Sequence, residues 1–343
     1  MRLRAGKDIS LATTVSSAFS EFMKNSVNLD SRVVSSARAS RDNLLANIQE
    51  FADDSDFVRL CESFNVHFGS FARKTKCREL DDIDLMIGIA ADGACYYEYD
   101  PWDNVRIIAS TTNQMQRECT RDDGTLNSTI VLNRFKKKLE KVREYSRSEV
   151  KRNGEAVNLN LISKDWAFDI VPCFHTVEET DGRAYYLIPN GKGNWKKTDP
   201  TKDREHVTKI NQENAGRVLE IVRLCKKWNR DQLSGRIPSY LLETMIIDFA
   251  DLETNITSYL DLSFRDAVKY IADHITGSVF DMKDIQGDIN DLSYGERLEI
   301  RDEALLAYSE ACDAITAELT YEDQESAIKK WGEIFGDEFP NYG

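Results

Sequence analysis

The stretch HFGSFARKTKCRELDDIDLMIGI, residues 67–89, decides the reading of this chain. It passes through Gly69-Ser70, a polar connector with Arg73 and Lys74, and then an alternation of acid and apolar residues from Asp82 to Leu85. Side chains alternate across a strand, so Asp82 and Asp84 share one face while Ile83 and Leu85 point into a core. Asp81 falls on the apolar face or at the frayed start of the strand. Two carboxylates side by side repel each other, and solvent-facing acids on an edge strand are the plain alternative. The Gly-Ser pair weighs against that alternative. Gly69 lets the backbone approach a phosphate closely, and Ser70 offers a hydroxyl and a backbone N–H.

A third carboxylate stands in DWAFDIVPCF, where Asp169 sits between Phe168 and Ile170 in an otherwise apolar strand. Paired on a neighbouring strand, it would lie beside the first two. Three carboxylates that close raise one another's pKa unless a cation neutralises them. Hard oxygen ligands suit Mg²⁺ or Mn²⁺, and two such ions activate an attacking hydroxyl and stabilise leaving pyrophosphate. That is the chemistry of nucleotidyl transfer.

Around this motif the 343-residue chain reads as α+β. Helical spacing recurs over Leu11–Met23 and Ser31–Phe51, the second capped by Asp30 or Ser31. Asn65–Phe68, Ile83–Ala90, Val157–Leu161 and Trp166–Cys173 read as strands of one sheet. Ser128–Tyr145 reads as an amphipathic helix with solvated lysines on its outer face. The segment DGRAYYLIPNGKGNWKKTDP marks a change of regime. Beyond it come helical patterns over Lys202–Asn229, Pro238–Phe249, Ser263–Ile275 and Ser293–Glu318. The expected division is a mixed-sheet lobe with the N-terminal helices, residues 1–195, and a helical lobe, residues 196–343.

The balance of 45 basic against 59 acidic residues, net −14, repels a phosphate backbone at long range. No apolar run is long enough to span a membrane. The N-terminus lacks the apolar core of a signal peptide, so a cytoplasmic protein is expected. Seven cysteines without C-x-x-C spacing read as reduced core thiols.

HFGSF, LDDIDLMI and FDIVPCF together resemble the polymerase β-type nucleotidyltransferase signature. The twelve-residue step from Ser70 to Asp82 is similar to that of the oligoadenylate synthetase and cyclic GMP-AMP synthase branch. NLDSRVVSSARASRDNLLANI, WKKTDP, VRLCKKWNR, IPSYLLE and WGEIFGDEFP look like the bacterial members, the CD-NTases that make cyclic oligonucleotide messengers in anti-phage defence. The resemblance runs from about Asn28 to Pro340.

It implies a polymerase β-like lobe with a mixed sheet joined to a helical C-terminal lobe, and an active site in the cleft between them. Asp82, Asp84 and Asp169 would hold two Mg²⁺ ions, with Mn²⁺ as a substitute, and Asp169 would help deprotonate the attacking hydroxyl. Gly69 and Ser70 would hold the triphosphate. Lys226 would reach it from the helical lobe, Ser239 would contact phosphate, and Tyr240 would stack on a base. Helix geometry independently places Lys226 at the rim of the stripe Val218, Ile221, Val222, Cys225 and Trp228, and Lys227 nearly opposite, facing water.

The implied product is a cyclic di- or trinucleotide made from NTPs, ATP among them. The alternatives are a linear oligonucleotide synthetase, an RNA-end nucleotidyltransferase, or a non-catalytic nucleotide-binding module. Histidines 67, 175, 206 and 274 are not spaced with cysteines as in the zinc-bound insertion of the animal enzymes, so activation by duplex DNA is not expected. A regulatory protein partner, or joining through the C-terminus, is implied by the family. The final FPNYG reads as a mobile tail suited to the latter.

Overall fold

The structure, a computed structural model, describes residues 10–53, 56–98, 102–252 and 256–343. Of the N-terminal stretch over residues 1–19, expected not to be a signal peptide, residues 1–9 lie outside them.

Leu11–Ala12 form a short strand, β1, rather than the start of the expected helix. Helix α1, Val15–Phe22, begins where Thr14 caps it, its hydroxyl accepting from Ser17 N–H. A π-turn over Met23–Val27 follows. Helix α2, Ser31–Gln49, is capped by Asp30 and turns Ala37, Leu44 and Ile48 onto the sheet. Next come β2 (Val66–Phe68), the one-turn α3 (Gly69–Arg73), β3 (Asp82–Gly88), β4 (Cys95–Glu98), β5 (Val105–Ile108) and α4 (Gln114–Arg117).

Helix α5 spans Ser128–Leu139 only. Val142 is extended, and a short turn over Arg143–Tyr145 brings Tyr145 into the core, which is why the expected helix stops early. Its lysines are not all solvated either. Lys138 is buried, paired with Asp56 and set over the Phe57 ring.

Strands β6 (Glu149–Asn153), β7 (Ala156–Asn160) and β8 (Ala167–His175) complete the centre of the sheet. The supposed boundary segment carries two more strands, β9 (Tyr186–Pro189) and β10 (Trp195–Thr198). Gly191 and Gly193, both at positive φ, supply the turn between them, and Trp195 is fully buried with its indole N–H on Leu126 O at 3.0 Å. The sheet order is β2-β3-β8-β9-β10-β5-β4, with β6 and β7 attached along β8. β3 and β8 run parallel, while the other strand pairs of this sheet are antiparallel. The mixed sheet expected from the sequence is present.

The helical lobe comprises α6 (Pro200–Glu213), α7 (Val218–Gln232), α8 (Ser239–Leu252), α9 (Leu260–His274), α10 (Tyr294–Leu319) and α11 (Gln324–Phe335). The pattern expected as one helix over Lys202–Asn229 is two. Ala215 and Gly216 adopt left-handed backbone, and Gly216 N–H closes on Asn211 O at 2.7 Å.

Helix α1 packs into this helical core, not with the sheet: Phe19 meets Trp331 edge-on at 5.0 Å between centroids, and Phe22 meets Phe335 at 5.1 Å. β10 runs on to Thr198. The lobes therefore interleave in the chain instead of dividing at 195/196. The tail is docked as well. Asn341–Tyr342 (β11) pair in parallel with β1, and Phe339 is buried among the α1 and α11 rings. All seven cysteines are free; Cys95, on β4, is exposed rather than in the core.

Candidate active site

Strand β3 carries the first two acids with the alternation the sequence requires. Ile83 and Leu85 are buried in the core beneath α2 and α5, leaving Asp82 and Asp84 on the opposite face. The parallel register sets Asp84 directly against Asp169 of β8. One carboxylate oxygen from each of Asp82, Asp84 and Asp169 lies within 4.8 Å of the others. Burial pushes the Asp84 carboxyl up to about 7, and the charges of Asp82 and Asp169 add to the rise. Asp82 is also raised by burial, although Lys76, 2.5 Å away, opposes it. Asp81 lies before the strand, also paired with Lys76.

Oxygen-only donors that crowd one another in this way fit a hard divalent cation, whose charge would relieve the repulsion. Among the described residues this is the cluster with such a donor set.

Two groups flank the cluster. Asn158, the register partner of Asp169 on β7, donates its side-chain N–H to Asp169 Oδ1 at 3.0 Å. On the other side β2 ends at Phe68, opposite Asp84, and the chain turns at Gly69 with φ +72°. The Asp84 carboxylate closes over this glycine. Ser70 follows, half-buried, its hydroxyl without a protein partner among the described residues. Its carbonyl accepts from Thr75 N–H at 3.0 Å and Lys76 N–H at 3.2 Å, curling the connector back towards Asp82.

The helical lobe meets this turn through charged groups. Arg73 donates to Asp203 of α6 at 2.8 Å and to Glu243 of α8 at 2.9 Å. Burial opposes the charge of Arg73, but Glu243 and Asp203 override it and raise its pKa. Lys226 on α7 is buried with its ammonium 2.6 Å from Glu243. Lys227 does not face water: it is buried too, held by Asp231 and by Glu338 beyond the end of α11. Ser239 opens α8 and is exposed. Tyr240 gives its hydroxyl hydrogen to Asp281 at 2.7 Å and accepts from Lys283 at 2.8 Å, with the Lys283 ammonium 4.0 Å from its ring centre.

A cleft of about 420 Å³ opens beside Asp84. Arg38 and Arg41 of α2, Lys74, Lys76, Arg204 and Arg223 line it, together with apolar Phe71 and Ile83. In a chain of net charge −14 this local excess of cations suits an anionic ligand.

Of the residues singled out in the sequence, the three acids come together, Gly69 packs against Asp84 with Ser70 next to it in the chain, and Asp84 also lines the cleft. Lys226 stands behind the turn on Glu243. Sequence reasoning missed Asn158, Lys76, Thr75 and Glu243. Asn158 had a signal: in Val157–Leu161 it alternates with the core residues Val157 and Leu159, which places it on the acidic face. Glu243 had none, since its partners come from distant segments.

Three acids on adjacent parallel strands, a Gly-Ser turn beneath one of them and a facing helical lobe define a nucleotidyltransferase. Residues 117–214, which include Asp169, match the model of the Second Messenger Oligonucleotide or Dinucleotide Synthetase domain. A probable cyclic nucleotide synthase of Bacillus cereus strain VD146 is 39% identical over 334 residues, covering 97% of this chain and 99% of that one. The chain belongs to the bacterial CD-NTase family. Two solved structures share the fold at a TM-score of 0.66. They are E. coli MS115-1 CdnC in complex with HORMA-deltaN, at 18% identity over 95% of this chain and 98% of that one, and CdnC with ATP, at 17% over 95% and 99%.

Among the described residues no helix is long and apolar enough to cross a membrane.

Proposed function

We propose that this protein joins nucleoside triphosphates, ATP among them, into a cyclic di- or trinucleotide second messenger, releasing pyrophosphate, in signalling against phage. The observation that carries the chemistry is the register of Asp84 on Asp169 beside the unpartnered Ser70 hydroxyl. The name of the Bacillus cereus relative supports a cyclic product, and the CdnC structure with ATP supports a triphosphate substrate. The CdnC complex with HORMA-deltaN supports a regulatory protein partner.

Mg²⁺ or Mn²⁺, held by Asp82, Asp84 and Asp169, would neutralise the triphosphate and make the attacking hydroxyl more acidic. Gly69 and Ser70 receive the triphosphate of the donor nucleotide. Lys226 spends one of its three donors on Glu243 and has two for phosphate oxygens. Ser239 contacts phosphate at the start of α8, and Tyr240 stacks on a base, its hydroxyl fixed by Asp281 and Lys283. Asp169, steadied by Asn158, takes the proton from the ribose hydroxyl of the second nucleotide. That hydroxyl attacks the α-phosphorus, the bond to pyrophosphate breaks, and a second round closes the ring.

The test is incubation with labelled NTPs and Mg²⁺ or Mn²⁺, with and without the partner protein, followed by phosphatase. A phosphatase-resistant product, absent from an Asp82→Ala/Asp84→Ala variant, is expected. A phosphatase-sensitive ladder would instead identify a linear synthetase, and no product under any condition a binding module.

A further inference from the structure

The Glu243 carboxylate is 1% exposed and gathers donors from three residues of two other segments. Oε1 accepts from Lys226 Nζ at 2.6 Å. Oε2 accepts from Arg73 Nη2 at 2.9 Å, Arg73 Nε at 3.1 Å and Thr75 Oγ1 at 2.8 Å. Arg73 ends α3 and Thr75 follows it, so both belong to the turn that starts at Gly69. Thr75 is itself fully buried, and its backbone N–H holds the Ser70 carbonyl at 3.0 Å. From α8 to Ser70 the path is therefore two hydrogen bonds long.

Two cations, Arg73 and Lys226, face two carboxylates, Glu243 and Asp203, so the buried group is balanced. Burying four charges stabilises a fold no better than apolar packing of the same volume, because desolvation offsets the attraction. What the arrangement supplies is direction: it fixes where the Gly-Ser turn sits and where the Lys226 ammonium points.

We infer that Glu243 is a positioning residue for nucleotidyl transfer, holding the Gly69–Thr75 turn and Lys226 in the geometry the triphosphate needs. The inference rests on the reading of Ser70 and Lys226 as triphosphate-binding groups. It differs from a merely structural role in its kinetic signature. Both Glu243 carboxylate oxygens are buried and taken by Lys226, Arg73 and Thr75, so it acts through them: a displaced turn still binds NTP but holds the α-phosphate out of line with the acids.

The experiment compares Glu243→Gln, Thr75→Val, their combination and Glu338→Gln, each with a melting curve and steady-state kinetics in Mg²⁺ and NTP. Glu338→Gln perturbs, through Lys227, a buried lysine pair on the helix that carries Lys226. In the two single variants kcat is expected to fall at least about tenfold while KM moves less than about threefold. The combination should lose little more than Glu243→Gln, because Thr75 acts through Glu243. Glu338→Gln should keep wild-type kcat.

Wild-type kcat in folded Glu243→Gln and Thr75→Val would overturn the inference. If Glu243→Gln fails to fold, Thr75→Val, which leaves every charge in place, decides alone. Ser70→Ala and Lys226→Ala judge the underlying reading separately. A raised KM for NTP in these with unchanged Thr75→Val kinetics overturns only the positioning role; wild-type kinetics in both overturns the underlying reading and the positioning role with it.

Discussion

The Asp84 carboxylate lies directly over the α-carbon of Gly69: a methyl group added there would fall 1.7 Å from Oδ2 and 2.5 Å from Cγ. Glycine is needed twice at this position, once for space and once for the positive φ. Gly69→Ala is therefore expected to push apart the turn and the acid. Turnover should drop about a hundredfold for a displacement on the ångström scale. Steady-state rates beside a melting curve check this, and a folded Gly69→Ala enzyme with wild-type kcat would refute it.

The crowding of Asp84 by Asp82 and Asp169 predicts opposite effects of one substitution on activity and stability. Asp84→Asn should abolish product. In a chelator it should melt no lower than the wild type, because a buried charge is removed from beside two like charges. Added Mg²⁺ should raise the melting temperature of the wild type, since a ligand of the folded state alone stabilises it, and leave Asp84→Asn unmoved. Melting scans in EDTA and in Mg²⁺ read both effects.

Glu243 gives the pH dependence. Burial works to raise its pKa, but Arg73 and Lys226 hold it below the ordinary value of 4.5. A carboxyl depressed in the folded state contributes stability that is complete above its unfolded pKa and is lost as pH falls through the folded value. The stability gap between wild type and Glu243→Gln should thus be widest near neutrality and narrow below about pH 4.5. Urea midpoints at pH 7 and in the acid range measure it; a gap that widens on acidification would contradict the network.

Because α1 belongs to the helical core, Phe19→Ala should weaken that lobe rather than the sheet. Removing a ring buried among Trp331, Phe335 and Phe339 is expected to cost about 3–5 kcal/mol. Hydrogen exchange should quicken in α9 and α11 before it does in β3 and β8.

Those parts of the molecule governed by short periods were legible in the chain. The period of two from Asp82 to Leu85 placed both acids on one face, and the isolated Asp169 in an apolar strand marked the third. What could not be read was which element covers which face. From α7 alone Lys227 reads as facing water, but Glu338, 111 residues on, closes over it. Lys138 likewise meets Asp56 from 82 residues away. Strands β9 and β10 hid in a segment rich in glycine and proline because each is four residues long and is completed by its neighbours, not by its own alternation.

The interleaved lobes also set an order of assembly. Val15 N–H finds its acceptor on Gln324, 309 residues later, and the rings of α1 stay uncovered until α11 arrives. Contacts that distant close slowly, because a long loop must be ordered before they form. The central strands of the sheet are all made by residue 198, well before the far wall of the cleft is finished. In the chain, then, the strands that place the acids all precede α11, whose rings cover those of α1.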